Sequence, residues 1–241
     1  MLLPAILCSE QVWLACAMQL AEVRDVHLVG RLDQLVRGDR PTLDSLAEAV
    51  TEQFAALGSY VLGGLSLGGL IAARIAERGD ARLEALVLAS VRAQAPSLDE
   101  RRRQQRILEM AARIGREPLL EGLAAQMFGP RHRAERPEDL AAWIAEADSW
   151  RASLLAGLAE AVQEFAVVDA LARSRVPTLV LRGEQDPLVP PADLEQLAMQ
   201  TSVHTRTLAD AGHLVPREQP HAVASAVEGW LASARESTRA F

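Results

Sequence analysis

A serine flanked by glycines is the first feature of the sequence that could do chemistry. Residues 60–64 form a predicted buried strand, and the sequence GLSLGG (64–69) leads directly into an apolar stretch with helical periodicity. At so tight a strand-to-helix turn the neighbours must be small, and the hydroxyl then stands beside the free N–H groups of the helix. The pattern predicts a nucleophilic Ser66, although an uninvolved serine in a glycine-rich turn is the alternative. A phosphate loop is excluded because no Gly-Lys-Ser/Thr follows.

A nucleophilic serine needs a base and a carboxylate that orients the base, and both residue types follow late strands. The sequence RGEQDPLVP (182–190) comes after a predicted strand and places Asp186 in a turn. The sequence ADAGHLVPREQP (209–220) comes after the next strand and places His213 in the loop before the last helix. The order serine, acid, histidine suits a triad assembled at the carboxyl ends of parallel strands. We therefore predict Ser66, Asp186 and His213 as the candidate catalytic residues.

Two other carboxylates compete with Asp186 for the imidazole. Glu184 lies in the same turn, and Asp210 lies in the histidine loop itself. The remaining histidines are interpreted as strand or surface residues without a catalytic role, and these are His27, His132, His204 and His221.

The elements that must position these residues alternate along the chain. Short apolar runs alternate with amphipathic stretches, which is typical of strands buried on both faces between helices. The sequence predicts an α/β fold with a mostly parallel sheet flanked by helices. The predicted strands are 2–4, 26–29, 60–64, 83–89, 178–182 and 204–208, and the predicted helices between them are 11–23, 42–57, 67–78, 191–199 and 220–232.

One long stretch interrupts this alternation. Between residues 92 and 171 no convincing strand is present, and helical patterns fill the stretch at 98–113, 117–127, 137–147 and 150–168. Insertions at the carboxyl ends of such strands commonly cover functional sites. We expect a core of residues 1–91 and 172–241 with an all-helical cap of residues 92–171.

Composition excludes several classes of protein and of chemistry. The 241 residues are 49% hydrophobic, 24% charged and 4% aromatic, as expected for an aliphatic globular domain. The net charge of −7 disfavours nucleic acid as a partner. All 25 basic residues are arginine, so lysine cannot serve as a base or form a Schiff base.

The two cysteines and the opening residues indicate in which cellular compartment the protein is expected. Cys8 and Cys16 are too few for a disulfide framework and are expected to be reduced. The opening residues lack the positive charge of a leader, and no apolar run reaches the ~18 residues of a membrane span. The sequence predicts a cytoplasmic protein without membrane association.

Taken together, the motifs resemble those of the α/β-hydrolase family, with GLSLGG as the nucleophile turn, RGEQDPLVP as the acid turn and AGHLVPREQP as the histidine loop. The resemblance covers nearly the whole chain, including a helical cap. It implies that Ser66 is the nucleophile, that His213 is general base and then acid, and that Asp186 fixes the imidazole. It also implies that the backbone N–H of Leu67 donates to the oxyanion and that no cofactor or metal takes part.

The second oxyanion donor is suggested by one subgroup of that family. The subgroup has LPGLLCD followed by a tryptophan, and residues 3–9 with Trp13 match it except for Ala5 in place of glycine. On this alignment the backbone N–H of Ile6 is the second donor. Alanine is tolerated there if the backbone has negative φ, and it obstructs the site if the glycine was needed for positive φ.

The predicted cap contains an arginine-rich helix. The sequence DERRRQQR (99–106) is locally basic, which is typical of a solvated helix face balanced by nearby glutamates or of a docking surface for an acidic partner. The chain is also similar to carrier-protein methyl ester esterases, which share a GxSLGG turn and a helical cap. That similarity implies an acyl carrier protein as a possible partner.

These observations predict a serine hydrolase that cleaves a small carboxylic ester, thioester or lactone through an acyl-enzyme on Ser66. Two alternatives remain open at this point. One is a biosynthetic lyase, cyclase or C–C hydrolase on the same scaffold. The other is a ligand-binding protein without catalysis, in which Ala5 marks an impaired oxyanion hole.

Overall fold

The computed structural model describes residues 1–35, 38, 40–114 and 116–239. In these residues a five-stranded sheet forms in the order β1-β2-β3-β4-β5, with every neighbouring pair parallel. The α/β fold with a parallel sheet flanked by helices is therefore confirmed. The strands are β1 (Leu2–Leu3), β2 (Tyr60–Leu65), β3 (Leu83–Ala89), β4 (Thr178–Gly183) and β5 (Val203–Leu208).

Helices connect and flank the strands. In the described residues the helices are α1 (Leu14–Leu20), α2 (Leu43–Gln53), α3 (Leu67–Glu77), α4 (Leu98–Ile114), α5 (Arg116–Met127), α6 (Pro130–Glu135), α7 (Pro137–Asp148), α8 (Ala152–Ala161), α9 (Val167–Ser174), α10 (Pro191–Ala198), α11 (Val215–Glu218) and α12 (Pro220–Arg239). Helix α3 packs against β2 and β3 and also against α2 and α9, while α1 packs against α12.

The central strands are apolar because they are covered on both faces. Leu86, Leu88, Val180 and Leu181 are fully buried in β3 and β4. Full burial of a leucine or valine side chain contributes about 1.5–3 kcal/mol each. These strands therefore form a rigid base whose carboxyl ends hold the loops of interest.

The prediction of a strand at residues 26–29 is wrong. Leu28 forms a single bridge with Leu2, supported by hydrogen bonds from Leu2 N–H to His27 O (2.9 Å) and from Val29 N–H to Leu2 O (3.0 Å). The neighbouring strand β1 is only two residues long, and Pro4 follows it. Proline has no N–H to donate, so the ladder ends after one bridge.

Several predicted helices differ in their limits. Instead of one helix over 11–23, a 3-10 turn at Glu10–Val12 precedes α1. The pattern at 150–168 splits into α8 and the start of α9, and α6 was not predicted. Pro130 opens α6 and Pro137 opens α7, so each proline fits the first turn that it begins.

The part of the chain between β3 and β4 described at 92–114 and 116–171 forms helices and their connecting loops but no strand. We call its part from α4 to α8, residues 98–161, the helical insertion. It contacts the loops of the sheet, because Met127 O accepts hydrogen bonds from the N–H groups of His213 and Leu214. The predicted limit at 171 falls inside α9, which packs on α3, and the division into core and cap stays a prediction.

In the described part of the chain, no helix combines the length and the apolarity that crossing a bilayer requires. The cytoplasmic location stays a prediction.

Candidate active site

The turn between β2 and α3 holds Ser66 in a strained conformation. Ser66 has φ 51° and ψ −115°, a region that residues with a side chain rarely occupy. Its N–H donates to Ala89 O on β3 at 2.8 Å, and its carbonyl accepts from Leu70 N–H in α3 at 3.0 Å. The turn is thus tied to the neighbouring strand and to its own helix, and Ser66 stays partly exposed.

The glycines beside Ser66 are required by close backbone contacts. A Cβ at Gly64 would lie 2.3 Å from the carbonyl oxygen of Gly68, and a Cβ at Gly68 would lie 2.5 Å from that of Pro4. Neither contact can be relieved by rotating a side chain, because the obstructing atoms belong to the backbone. The absence of side chains therefore lets the loop after β1 approach the start of α3.

Asp186 lies in the turn after β4 with its side chain fully buried. One carboxylate oxygen, Oδ1, accepts from the N–H groups of Leu188 (2.8 Å) and Val189 (3.3 Å), and Oδ2 lies 2.9 Å from His213 Nδ1. Burial alone would raise the pKa of Asp186. The charge and hydrogen bond of His213, together with the two N–H groups, outweigh burial and hold the pKa below its usual value.

A buried arginine fixes the shape of this turn. Arg182 is 5% exposed and donates from Nη1 to Glu184 O at 3.3 Å, from Nη2 to Asp186 O at 3.1 Å and from Nε to Val189 O. Three carbonyl groups of one short loop are thereby bound to a single planar side chain. The position of Asp186 consequently depends on a residue that does not itself reach the imidazole.

His213 is held from several sides and is buried with 5% of its side chain exposed. Its N–H donates to Met127 O at 2.9 Å, and its carbonyl accepts from Ser90 Oγ at 2.7 Å. Because Nδ1 is engaged by Asp186, Nε2 is the ring nitrogen that this hydrogen bond leaves free. In the described residues Ser66 and His213 share no hydrogen bond, and such bonds are often long before a substrate binds.

The competing carboxylates point elsewhere. Asp210 pairs with Arg131 at 3.0 Å, and Glu184 is exposed. The structure therefore brings His213 together with Asp186 and not with either competitor.

The loop after β1 presents a free backbone N–H group. Residues 5–8 form a turn closed by Cys8 N–H to Ala5 O at 3.3 Å, and the positive φ of 61° in this turn belongs to Leu7, not to Ala5. Ala5 therefore adds no backbone strain of the left-handed kind. Across the described residues, neither Ile6 N–H nor Leu67 N–H donates a hydrogen bond, so both remain available to an oxyanion.

The interpretation of His132 as a surface residue is wrong. Its side chain is only 10% exposed, stacks on Phe128 and lies with Nε2 2.8 Å from Asp139 Oδ2. Asp139 Oδ1 also accepts from Arg217 at 2.9 Å. His132 and Asp139 lie on separate short helices, so no helical periodicity connects them in the sequence.

Sequence reasoning also missed Glu218. Its Oε2 accepts from the N–H groups of Gly212 (2.9 Å) and Gly129 (2.8 Å), which joins the histidine loop to the turn between α5 and α6. Residues 211–216 are buried, but Arg217 and Glu218 after them are only partly buried, and no sequence pattern distinguishes Glu218 from an ordinary charged residue of a loop.

Comparisons with known proteins agree with this architecture. The family model described as "Alpha/beta hydrolase family" matches residues 8–226. An esterase from Thermogutta terrifontis, solved with malate bound, is 27% identical with a TM-score of 0.83, covering 96% of this chain and 88% of that one. An enol-lactonase from Burkholderia xenovorans has a TM-score of 0.80 over 96% of this chain and 90% of its own, and at 20% identity it shows the fold alone.

One curated relative is similar in sequence. The 3-oxoadipate enol-lactonase 2 of Acinetobacter baylyi is 28% identical over 165 residues, which are 68% of this chain. The match spans 61% of the length of that relative.

Proposed function

This chain belongs to the alpha/beta hydrolase family, and we propose that it is a serine hydrolase that cleaves a small carboxylic ester, thioester or lactone through an acyl-enzyme on Ser66. The observation that carries the proposal is the buried hydrogen bond between Asp186 and His213, at the same end of the sheet as the strained turn of Ser66. In this proposal the helical insertion acts as a cap over that end.

The proposed chemistry uses each group in turn. Ser66 Oγ attacks the carbonyl carbon while His213 Nε2 takes the hydroxyl proton, and the N–H groups of Leu67 and Ile6 stabilise the negative oxygen of the tetrahedral intermediate. The imidazolium then gives its proton to the departing alcohol or thiol, which for a lactone stays attached to the acyl group. Water repeats the sequence and releases the acid, while Asp186 holds the imidazole throughout.

The relatives support two of the three substrate classes. The similar solved structure is named an esterase and the curated relative an enol-lactonase, so esters and lactones are the first classes to test. The thioester class and the acyl carrier protein stay predictions from the sequence. In the arginine-rich helix, Arg101 donates to Pro96 O and Arg102 lies 3.5 Å from Asp99. Two of the helix arginines are therefore already engaged by groups of this chain.

Covalent labelling tests the proposal. We expect a fluorophosphonate probe to form one adduct per chain on the wild-type protein and none on Ser66→Ala, because the probe reports an activated serine. Panels of esters, thioesters and lactones of increasing chain length should then show turnover that Ser66→Ala lacks. Absence of an adduct would contradict the proposal, and an adduct without turnover of any panel would favour the lyase, cyclase or C–C hydrolase alternative.

A further inference from the structure

We propose that Glu218 is a positioning residue for His213. One of its carboxylate oxygens joins the histidine loop to the turn between α5 and α6 and so holds the imidazole in place. The inference rests on the proposed role of His213 as base. Glu218 lies at the end of α11, five residues after the histidine, and is assigned no part in the proton transfer itself.

The contacts form a compact bridge. Glu218 Oε2 accepts from Gly212 N–H at 2.9 Å and from Gly129 N–H at 2.8 Å. Met127 O accepts from the N–H groups of His213 (2.9 Å) and Leu214 (3.1 Å) on the same pair of segments. The residue before the histidine is therefore held by Glu218, and the histidine and its successor are held by the backbone of α5.

The segments that Glu218 joins are packed so closely that no other acceptor could take the place of its carboxylate without moving the backbone. A Cβ at Gly212 would lie 2.3 Å from Gly129 N, and a Cβ at Gly183 would lie 2.1 Å from Gly212 O. The acid turn, the histidine loop and the turn between α5 and α6 thus meet backbone to backbone. With so little space around the two glycine N–H groups, the carboxylate is the acceptor that satisfies both.

Placing a carboxylate here carries a cost that favours a functional explanation. Within the described structure Glu218 Oε1 is buried without a hydrogen-bond partner, and burial raises the pKa of the Glu218 carboxyl despite the N–H donors. Buried polar atoms without partners destabilise a fold. Local costs of this kind concentrate at functional sites, as expected for a group that holds the catalytic loop.

Movement of this loop would affect the chemical step more than substrate binding. His213 must stay aligned with Asp186 on one side and Ser66 on the other, and general-base catalysis tolerates little misplacement. Substrate contacts made by other residues would be unchanged. Loss of the bridge is therefore expected to lower kcat while KM is conserved.

The test compares Glu218→Ala with Glu218→Gln. The alanine variant leaves both glycine N–H groups unpaired. It should lower kcat and the fluorophosphonate labelling rate roughly 10- to 100-fold and keep KM within about threefold of the wild-type value. This loss is smaller than the whole contribution of general-base catalysis, which is about 10²- to 10⁴-fold. Glutamine keeps one oxygen that can accept both hydrogen bonds and should recover kcat to within about threefold of wild type. The downfield NMR signal of the His213 Nδ1 proton should weaken or shift in the alanine variant and persist in the glutamine variant.

A matched control separates this role from general stability. Asp80→Ala removes another carboxylate that accepts from a backbone N–H, that of Arg82 at 3.0 Å, and from Tyr60 Oη at 2.9 Å, at the amino ends of β2 and β3. This carboxylate also pairs with the Arg82 guanidinium at 2.7 Å. It should lower the unfolding temperature without moving kcat or the His213 signal.

Two results would overturn the inference. One is a Glu218→Ala protein that labels as fast as wild type, and the other is an unchanged His213 signal in that variant. Because the NMR signal needs no turnover, it is measured equally well in Ser66→Ala. A wild-type chain that shows the His213 Nδ1 signal but forms no adduct on Ser66 would refute the proposed function. The positioning role of Glu218 would then be tested by comparing this NMR signal in wild type and Glu218→Ala.

Discussion

Two histidine–aspartate pairs lie close together in this protein and differ in what surrounds them. His213 and Asp186 are joined at 2.9 Å with side chains that are 5% and 0% exposed, and His132 and Asp139 are joined at 2.8 Å with side chains 10% and 15% exposed. The two pairs are equivalent in distance. They differ in the groups that contact each aspartate and each histidine.

The second oxygen of each aspartate shows the difference. Asp186 Oδ1 accepts neutral backbone N–H groups, so the negative charge of Asp186 remains to stabilise an imidazolium. Asp139 Oδ1 accepts the guanidinium of Arg217, which neutralises the charge that His132 would otherwise receive. His132 also stacks on Phe128 and has no strained serine turn within its own contacts. We therefore expect only the pair of His213 and Asp186 to support the proposed catalysis, because it combines an unneutralised carboxylate with a nearby candidate nucleophile.

The largest expected effect comes from changing the two aspartates separately. Asp186→Asn should lower kcat by about 10³- to 10⁴-fold, because the amide no longer fixes the tautomer or stabilises the imidazolium. Asp139→Asn should leave kcat within about threefold, since its partner takes no part in proton transfer. Steady-state kinetics on the best ester of the panel measure both. Equal losses in the two variants would show that the comparison between the pairs is wrong.

A smaller effect is expected from replacing Gly212, the glycine beside His213, by alanine. Gly212→Ala places a Cβ 2.3 Å from Gly129 N, and overpacking of this kind should lower the free energy of unfolding by about 1–3 kcal/mol and displace the histidine loop. Gly122→Ala is the matched change, because nothing lies within 4 Å of its Cβ on α5. That variant should be more stable by about 0.5–1 kcal/mol through helix propensity. Urea unfolding measures the stability of both variants, and kcat reports whether the histidine loop has moved. A Gly212→Ala protein that is as stable and as active as wild type would contradict the packing argument.

The smallest expected effect is on the free energy of unfolding when Arg217, the cation beside Asp139 and His132, is replaced. Burial alone would raise the pKa of Asp139, but the hydrogen bond and charge of Arg217, and then His132, hold it below its usual value. A carboxyl with a depressed folded pKa stabilises the fold above its unfolded pKa and loses this contribution as pH falls through the folded pKa. Arg217→Gln should therefore cost about 1 kcal/mol at pH 7 and progressively less below about pH 4.

Denaturant unfolding of wild type and Arg217→Gln at several pH values checks this sign. A difference that grows with acidification would mean that Arg217 does not act through the Asp139 carboxylate.

Local patterns in the sequence were sufficient for the fold class. Strands buried on both faces are largely apolar, and glycine and proline mark turns through their own backbone preferences, so β2, β3 and β4 and their loops follow from neighbouring residues. Strand β5 has three exposed residues, His204, Arg206 and Thr207. Residues 26–29 show the limit of this reasoning. Their apolar pattern fits a strand, but strand formation requires a long enough partner, and β1 ends at Leu3.

The candidate site divides in the same way. The sequence by itself determined the positions of Ser66, Asp186 and His213 relative to the strand ends, because motifs of this kind are contiguous. Only the tertiary structure decided that Asp186 and not Glu184 or Asp210 meets the imidazole.

Only the tertiary structure, too, assigned the positive φ to Leu7, paired His132 with Asp139, and placed Glu218 between two glycines. The φ of Leu7 is a backbone angle that its residue type does not prescribe, and the other two facts are distances between residues of different elements. Such distances are set by how loops pack on a common sheet edge, and a one-dimensional pattern of residue types does not contain them.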